Sequence, residues 1–474
     1  MSKEKIKKNF IYNLLNQFFS LAVPVVITPY VSRIFEADGI GINGYTTANV
    51  TYFMLFCMLG ISGYGQRTIA INRNDKSAVS KIFWELQWIH FFTLIVTSAA
   101  YSLLVLFSEN YSIYYVAHYS LLLSNFFDIS WLYKAYEKFK NIAIRNILIK
   151  IFTLLFTFMF INEKDDLIIY IFIHSFGTLI SNVSLWLGLK EYVIWTPFER
   201  LNLKRHFKDI MIFFLPTIAA SIYSVLDRSV INWITHEEAQ NGYYDQAFKL
   251  LQICNVIVQT LATVSSPRMS YDYHNESIAS FKEKLNRYLR AMLMFSLPIS
   301  FGVCAIACDL IPLYLGNGYG EVIKIVYVFM PLVVILGFSV YLDGLYLIPA
   351  GKRLQSSFAI IAGSITNLFL NYFLVSKFAA FGAAIATLIT EILVSGIMIV
   401  LSKEIIKWKE IVKTFSKYFL FSIIMFFVVC KIGLWFDNVY IKLFLQVGTG
   451  GIIYLLLMFL IKDEFIMSLI KRAK

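Results

Sequence analysis

Residues 9–33 read NFIYNLLNQFFSLAVPVVITPYVSR. The run carries no formal charge before Arg33, and it exceeds the roughly twenty residues a helix needs to cross a bilayer core. Its polar or helix-perturbing residues are Asn9, Asn13, Gln17, Ser20, Pro24, Thr28 and Ser32. They recur at every third or fourth position, which places them along one helix face. The stretch therefore reads as a membrane span with one polar side.

Similar apolar runs repeat to the end of the chain. They predict about fourteen spans, over 9–33, 41–65, 79–107, 112–133, 141–161, 167–189, 209–235, 242–267, 286–309, 321–348, 354–376, 379–402, 415–436 and 439–461. Composition agrees: the 474 residues are 58% hydrophobic and 15% charged, against about a quarter charged in a soluble chain. The expected class is an all-α polytopic membrane protein. Lys3, Lys5, Lys7 and Lys8 precede the first run. No small-residue cleavage site follows, so that run is expected to stay as a span and not to act as a signal peptide.

The formal charge of +12 has a topological explanation. Of the 42 Lys and Arg, 33 fall in alternate connections, at the span ends beside them and at both termini, six fall in or beside the connections of the opposite side, and Lys150, Arg228 and Lys249 lie deeper within spans. The excess predicts cytoplasmic N- and C-termini and removes the case for nucleic acid. The larger basic loops, 190–208, 268–285 and 403–414, are expected to lie as surface helices on anionic headgroups. The opposite connections are short and leave no room for a folded external domain. The five cysteines sit in apolar segments without a supporting His or carboxylate cluster, so no metal, disulfide or catalytic group is expected.

Two more polar stripes follow the first. Span seven carries Thr217, Ser221, Ser224, Arg228, Asn232 and Thr235; span eight carries Asp245, Lys249, Gln252, Asn255, Gln259, Thr263 and Ser266. Single Ser and Thr residues commonly join membrane helices. Stripes that run the length of a span and include Arg228 and Lys249 point instead to a hydrated cavity, because a cation at that depth needs water, a counter-charge or an anionic ligand. Spans one and seven also match: Pro24 and Pro216 lie early, Arg33 and Arg228 late, and Gly44–Tyr45 and Gly242–Tyr243 open the next helix. A six-helix offset makes the copies parallel. The expected organisation is an N-lobe over 1–189, a cytoplasmic loop over 190–208, a C-lobe over 209–402, and a linker, two further spans and a cytoplasmic tail over 403–474. The two six-helix lobes are related by a pseudo-twofold along the membrane normal. Glu85, Asp128 and Asp343 are read as interface anchors. Asp227 and Glu391 are candidate coupling residues, although a structural hydrogen bond accounts equally well for Glu391.

Several segments, in order, resemble a known family: PVVITPYVSR at 24–33, GISGYGQR at 60–67, DISWLYKAYEKFK at 128–140, LPTIAASIYSVLDR at 215–228, GYYDQA at 242–247, SPRM at 266–269 and AFGAAIAT at 380–387. Together they resemble Wzx-type oligosaccharide flippases of the multidrug/oligosaccharidyl-lipid/polysaccharide (MOP) superfamily. The resemblance implies a central cationic cavity lined by helices 1, 2, 7 and 8. It implies a polyprenyl-pyrophosphate-linked oligosaccharide as cargo, moved to the outer leaflet by alternating access. Under it, Arg33, Arg228, Lys249 and Arg67 become candidate headgroup contacts, since arginine binds pyrophosphate bidentately and keeps its charge. Asn13, Gln17, Gln252 and Asn255 become candidate sugar contacts. Snorkelling accounts equally well for Arg33, and a topology anchor better for Arg67. No cofactor is expected, apart from coupling to an H+ or Na+ gradient or to the membrane potential. Membrane lipids, a polysaccharide polymerase and a chain-length regulator are expected partners.

The alternatives are a lipid II flippase, a multidrug exporter of the same superfamily, and a polysaccharide polymerase. The exporter would present acids where this chain places cations, and the polymerase would need a sizeable outer loop or a carboxylate metal site.

Overall fold

The computed structural model describes residues 3–463. The side chains of Asn9, Asn13, Thr217 and Ser224 lie outside the described residues. The described chain is helical throughout: α1 Lys3–Met58, α2 Ile61–Asn72, α3 Lys76–Phe107, α4 Ser112–Phe127, α5 Ser130–Ala135, α6 Phe139–Phe160, α7 Leu167–Val183, α8 Phe207–Thr235, α9 Glu238–Asn275, α10 Ile278–Leu315, α11 Gly320–Phe329, α12 Leu332–Leu342, α13 Arg353–Leu401, α14 Trp408–Gly433 and α15 Val439–Leu460. Among the described residues nine helices are long and apolar enough to cross a membrane, and a tenth span results if the bent pair 317–329 and 332–347 is taken as one. Two long helices are each two helices joined through one residue. Glu36 (φ 54°, ψ −168°) divides α1, and Ala379 (φ 49°, ψ −132°) divides α13. Both breaks fall between spans that the hydropathy had separated.

Other boundaries shift for local reasons. The fourth span stops at Phe127, where Asp128 turns extended and its carboxylate accepts the Ser130 N–H at 2.9 Å. The tenth bends by 46° near Pro331, which has no N–H to continue the ladder. The expected loop 268–285 is mostly helix, because α9 runs on to Asn275 and α10 begins at Ile278.

The chain divides into two compact units, Met1–Gly242 and Tyr243–Lys474. The division falls after α8. In unit 1, α8 packs on α1 and α2. Glycines allow the closest approach. A Cβ on Gly41 would lie 1.7 Å from the Glu238 carbonyl oxygen, and one on Gly242 would lie 2.0 Å from that of Ala37. Only glycine fits at such a crossing.

The connection 190–206 is a strap along α3 and not a surface helix. Lys76, Ser80, Trp84 and Trp88 stand four residues apart on one face of α3 and take it in sequence. The Lys76 ammonium donates to the Lys190 carbonyl (3.2 Å), the Ile194 N–H donates to Ser80 Oγ (2.8 Å), and Trp84 Nε1 donates to the Ile194 carbonyl (3.0 Å). The ring of Trp195 meets Trp84 and that of Phe198 meets Trp88. The strap ends on Glu85. That carboxylate is fully buried, which corrects its reading as an interface anchor. It accepts from the Asn202 N–H (2.7 Å), from the guanidinium of Arg205, and from His206 Nε2 (2.7 Å). Tyr64 Oη lies 2.7 Å from His206 Nδ1. The apolar residues left over on α2, α3 and α5 (Ile61, Phe83, Leu86, Trp131) form a core beneath the strap with Leu189, Tyr192 and Val193.

In unit 2 the C-terminal helices α14 and α15 are fixed to α10. Tyr454 Oη donates to the Met294 carbonyl at 2.9 Å, Lys442 pairs with Asp309 at 2.7 Å, and Arg290 pairs with Glu410. Ser339 and Ser395 join α12 to α13 at 2.6 Å.

Candidate substrate-binding site

The predicted site residues divide between the two units. In unit 1, α8 presents Asp227, Arg228 and Ser229 on successive positions. Asp227 and Ser229 are buried and Arg228 is half-buried. The facing helix is the second half of α1. Ser229 Oγ lies 3.2 Å from Tyr52 Oη and donates to Asn49 Oδ1 at 3.4 Å, while Asn49 Nδ2 donates to Tyr115 Oη at 2.6 Å. Tyr52 feels the charges of both Asp227 and Arg228. A turn further on, Asn232 Nδ2 donates to Tyr111 Oη (3.4 Å) and Tyr111 Oη donates to Glu238 (2.8 Å). The stripe on span seven thus continues into side chains of α1 and α4 that the sequence had not joined to it.

The stripe on the first span behaves differently. Thr28 and Ser32 are buried within unit 1. Ser20 Oγ accepts from the Lys150 ammonium on α6 and donates to the Asn16 carbonyl. These members join helices. Gln17 is half-buried, and Asn13 lies outside the described residues. Arg33 is exposed and donates from Nη1 to the Pro29 carbonyl at 3.0 Å. Arg67 is exposed on α2.

In unit 2 the Lys249 ammonium lies 2.7 Å from the buried Asp245 carboxylate one turn earlier. Its charge is therefore largely offset by its own helix. The i,i+4 spacing of this pair was legible in the sequence. Gln252 is exposed beside it, while Asn255 is 3% exposed with no hydrogen bond to its Oδ1. Glu391 is buried on α13, one turn after Thr387 on the same helix face. The two units therefore carry different chemistry: a guanidinium beside hydroxyls and amides in one, an internally paired ammonium beside amides in the other.

A family model described as polysaccharide biosynthesis protein matches residues 6–271. The chain belongs to that family. It is 24% identical over 407 residues to a putative O-antigen transporter of Escherichia coli (strain K12), covering 84% of this chain and 97% of the relative. A solved structure of the lipid II flippase MurJ in an inward closed conformation is similar over 97% of this chain and 99% of its own, with a TM-score of 0.75 at 18% identity. An inward-facing multidrug MATE transporter of the MOP superfamily covers 84% of this chain and 98% of its own, with a TM-score of 0.60 at 13% identity. The resemblance to Wzx-type flippases thus stands at the level of family and fold. The chain is a multi-pass membrane transporter and not an enzyme.

Proposed function

We propose that this protein flips polyprenyl-pyrophosphate-linked oligosaccharide repeat units across the bacterial cytoplasmic membrane by alternating access, both termini lying in the cytoplasm. The family membership and the O-antigen transporter relative carry this reading. Sugar hydroxyls and pyrophosphate cannot enter hydrocarbon unaided. A polar path must replace their water, and Arg228 with its hydroxyl and amide neighbours on α1 is suited to the pyrophosphate end. Arg33 and Arg67 are proposed to meet the headgroup at other stages. Lys249 is proposed to do so by exchanging Asp245 for phosphate. Gln17, Gln252 and Asn255 offer amide donors and acceptors to sugar hydroxyls. Outward movement of two negative charges is downhill by about 4–5 kcal/mol at roughly 100 mV, inside negative. Return of the empty cationic site to the inward-facing state is favoured by the same field, and Asp227 and Glu391 are the proposed groups for coupling to H+ or Na+. Delivery of cargo to a polymerase and a chain-length regulator completes the proposal.

The test is export in cells that lack their own repeat-unit flippase. Expression is expected to restore surface glycan. Arg228→Ala is expected to lower it at least about tenfold, the scale of losing hydrogen bonds to a charged group, at unchanged protein level. Full export by Arg228→Ala overturns the assignment of the site but not of the cargo class. The fit to MurJ over nearly the whole chain favours lipid II as a second reading. Growth of cells depleted of their lipid II flippase, with no restoration of surface glycan, would select it.

A further inference from the structure

The residues around Arg145 on α6 have no part in the transport path described above. A crevice of about 460 Å3 opens there, lined by Tyr133, Ile144, Arg145, Leu148, Phe152 and Gly188 among others. This is within the range of about 300–1,000 Å3 of small-molecule sites. One wall faces outward from the helix bundle: Ile144, Leu148 and Phe152 are 42%, 51% and 52% exposed. Their spacing of four sets them along one face of α6, the arrangement that would carry an acyl chain.

Arg145 stands at the polar end of this wall. Its Nη2 donates to Asn146 Oδ1 at 2.8 Å, while Nε and Nη1 are buried with no acceptor. It makes no ion pair among the described residues. Asp128 is the acid nearest in effect, but it lies beyond ion-pair distance and turns one carboxylate oxygen to the Ser130 N–H. Arg145 is half-buried, and donors held out of water with no acceptor are costly unless an anion completes them. Lys138 and Lys140 open α6 and Lys190 closes the turn after α7, with Glu137 and Glu191 beside them and the Lys138 ammonium 3.8 Å from Glu191, which leaves a net positive charge. Basic pockets between membrane helices on that side suit anionic headgroups.

We propose that this crevice binds an anionic glycerophospholipid, its phosphate completing Arg145 and one acyl chain lying over Ile144, Leu148 and Phe152. Asn146 connects the site to the rest of unit 1. Its Nδ2 donates to Asn16 Oδ1 on α1 at 3.2 Å, and its Oδ1 accepts from Ser181 on α7 at 3.4 Å. An occupied site therefore braces α6 against α1 and α7.

The full-length protein, purified in detergent, is titrated with dioleoyl phosphatidylglycerol, dioleoyl phosphatidylcholine, inorganic phosphate or undecaprenyl phosphate. Thermal unfolding and native mass spectrometry report the outcome. Phosphatidylglycerol is expected to raise Tm and to be retained at least about tenfold over phosphatidylcholine. Arg145→Gln is expected to remove that preference. Leu148→Trp, which narrows the crevice without touching the guanidinium, is expected to weaken retention of both lipids and serves if Arg145→Gln fails to fold. Equal retention of the two phospholipids, or unchanged preference in both variants, overturns the proposal. Saturation by inorganic phosphate alone overturns the acyl-chain contact. Displacement of phosphatidylglycerol by equimolar undecaprenyl phosphate overturns the assignment to a bilayer lipid and returns the crevice to the transport path.

Discussion

In unit 1, the buried Glu85 and the half-buried Arg145 stand in opposite circumstances. Glu85 has both carboxylate oxygens occupied, by a backbone N–H, a guanidinium and an imidazole. Arg145 has one donor used and two nitrogens without an acceptor. A charge whose partners all belong to the same fold acts as a fastener, since releasing it strands several groups at once. A charge with open valences is a place where something from outside the chain can be taken up. The contrast is local, because both sit close to the same core of Phe83, Trp131 and Leu189.

The largest effect should come from breaking the fastener. Glu85→Ala strands Arg205 and His206 and is expected to cost about 3 kcal/mol, the low end for a buried pair, because Arg205 stays 43% exposed and screened. Thermal unfolding in detergent would measure it, and early proteolysis within 195–204 would locate it. A silent Glu85→Ala would mean that the aromatic contacts hold the strap alone.

Acid should loosen the same joint to a smaller extent. Burial holds His206 below its ordinary value of 6.5, against the pull of the neighbouring Glu85. A base depressed by folding contributes stability that is present in full above about 6.5 and is lost as pH falls through the folded-state value. Glu85, Arg205, Asp209 and Tyr64 are the charged or titratable groups around it. Stability of the strap is therefore expected to decline between neutral and mildly acidic pH, and His206→Gln should flatten that decline. An unchanged slope in the variant would assign it to other groups.

Trp84→Phe removes one hydrogen bond, to the Ile194 carbonyl, and is expected to cost about 1 kcal/mol. At the other pole, Arg145→Met should leave lipid-free stability unchanged or raised, since replacing an incompletely satisfied buried charge with a well-packed apolar group is often neutral or favourable. A loss comparable to that of Glu85→Ala would erase the distinction between the two charges.

How far each feature could be read beforehand follows from its range along the chain. The spans were legible because about twenty apolar residues suffice to mark one, and even the divisions of α1 and α13 fell where hydropathy had put them. The Asp245–Lys249 pair was legible as an i,i+4 spacing, although the reading treated Lys249 as a cation in need of an external partner. The stripe on α1 was read as one continuous face. Which of its members join helices was not legible, because Lys150 lies 130 residues from Ser20. Arg145 and Glu85 were counted as a topological cation and an interface anchor for the same reason: their partners, or the lack of them, are set by other helices.

The sequence by itself determined that this chain is helical and membrane-embedded, how its basic residues are distributed between alternate connections, and which helix faces are polar. Those properties depend on composition and on a period of 3.6 residues, which any short window contains. Only the tertiary structure decided that 190–206 is a strap, that Glu85 is its fastener and that Arg145 borders an open crevice. These depend on which helix faces meet, and a polar side chain looks the same in sequence whether its partner is water, a neighbouring helix or a lipid phosphate.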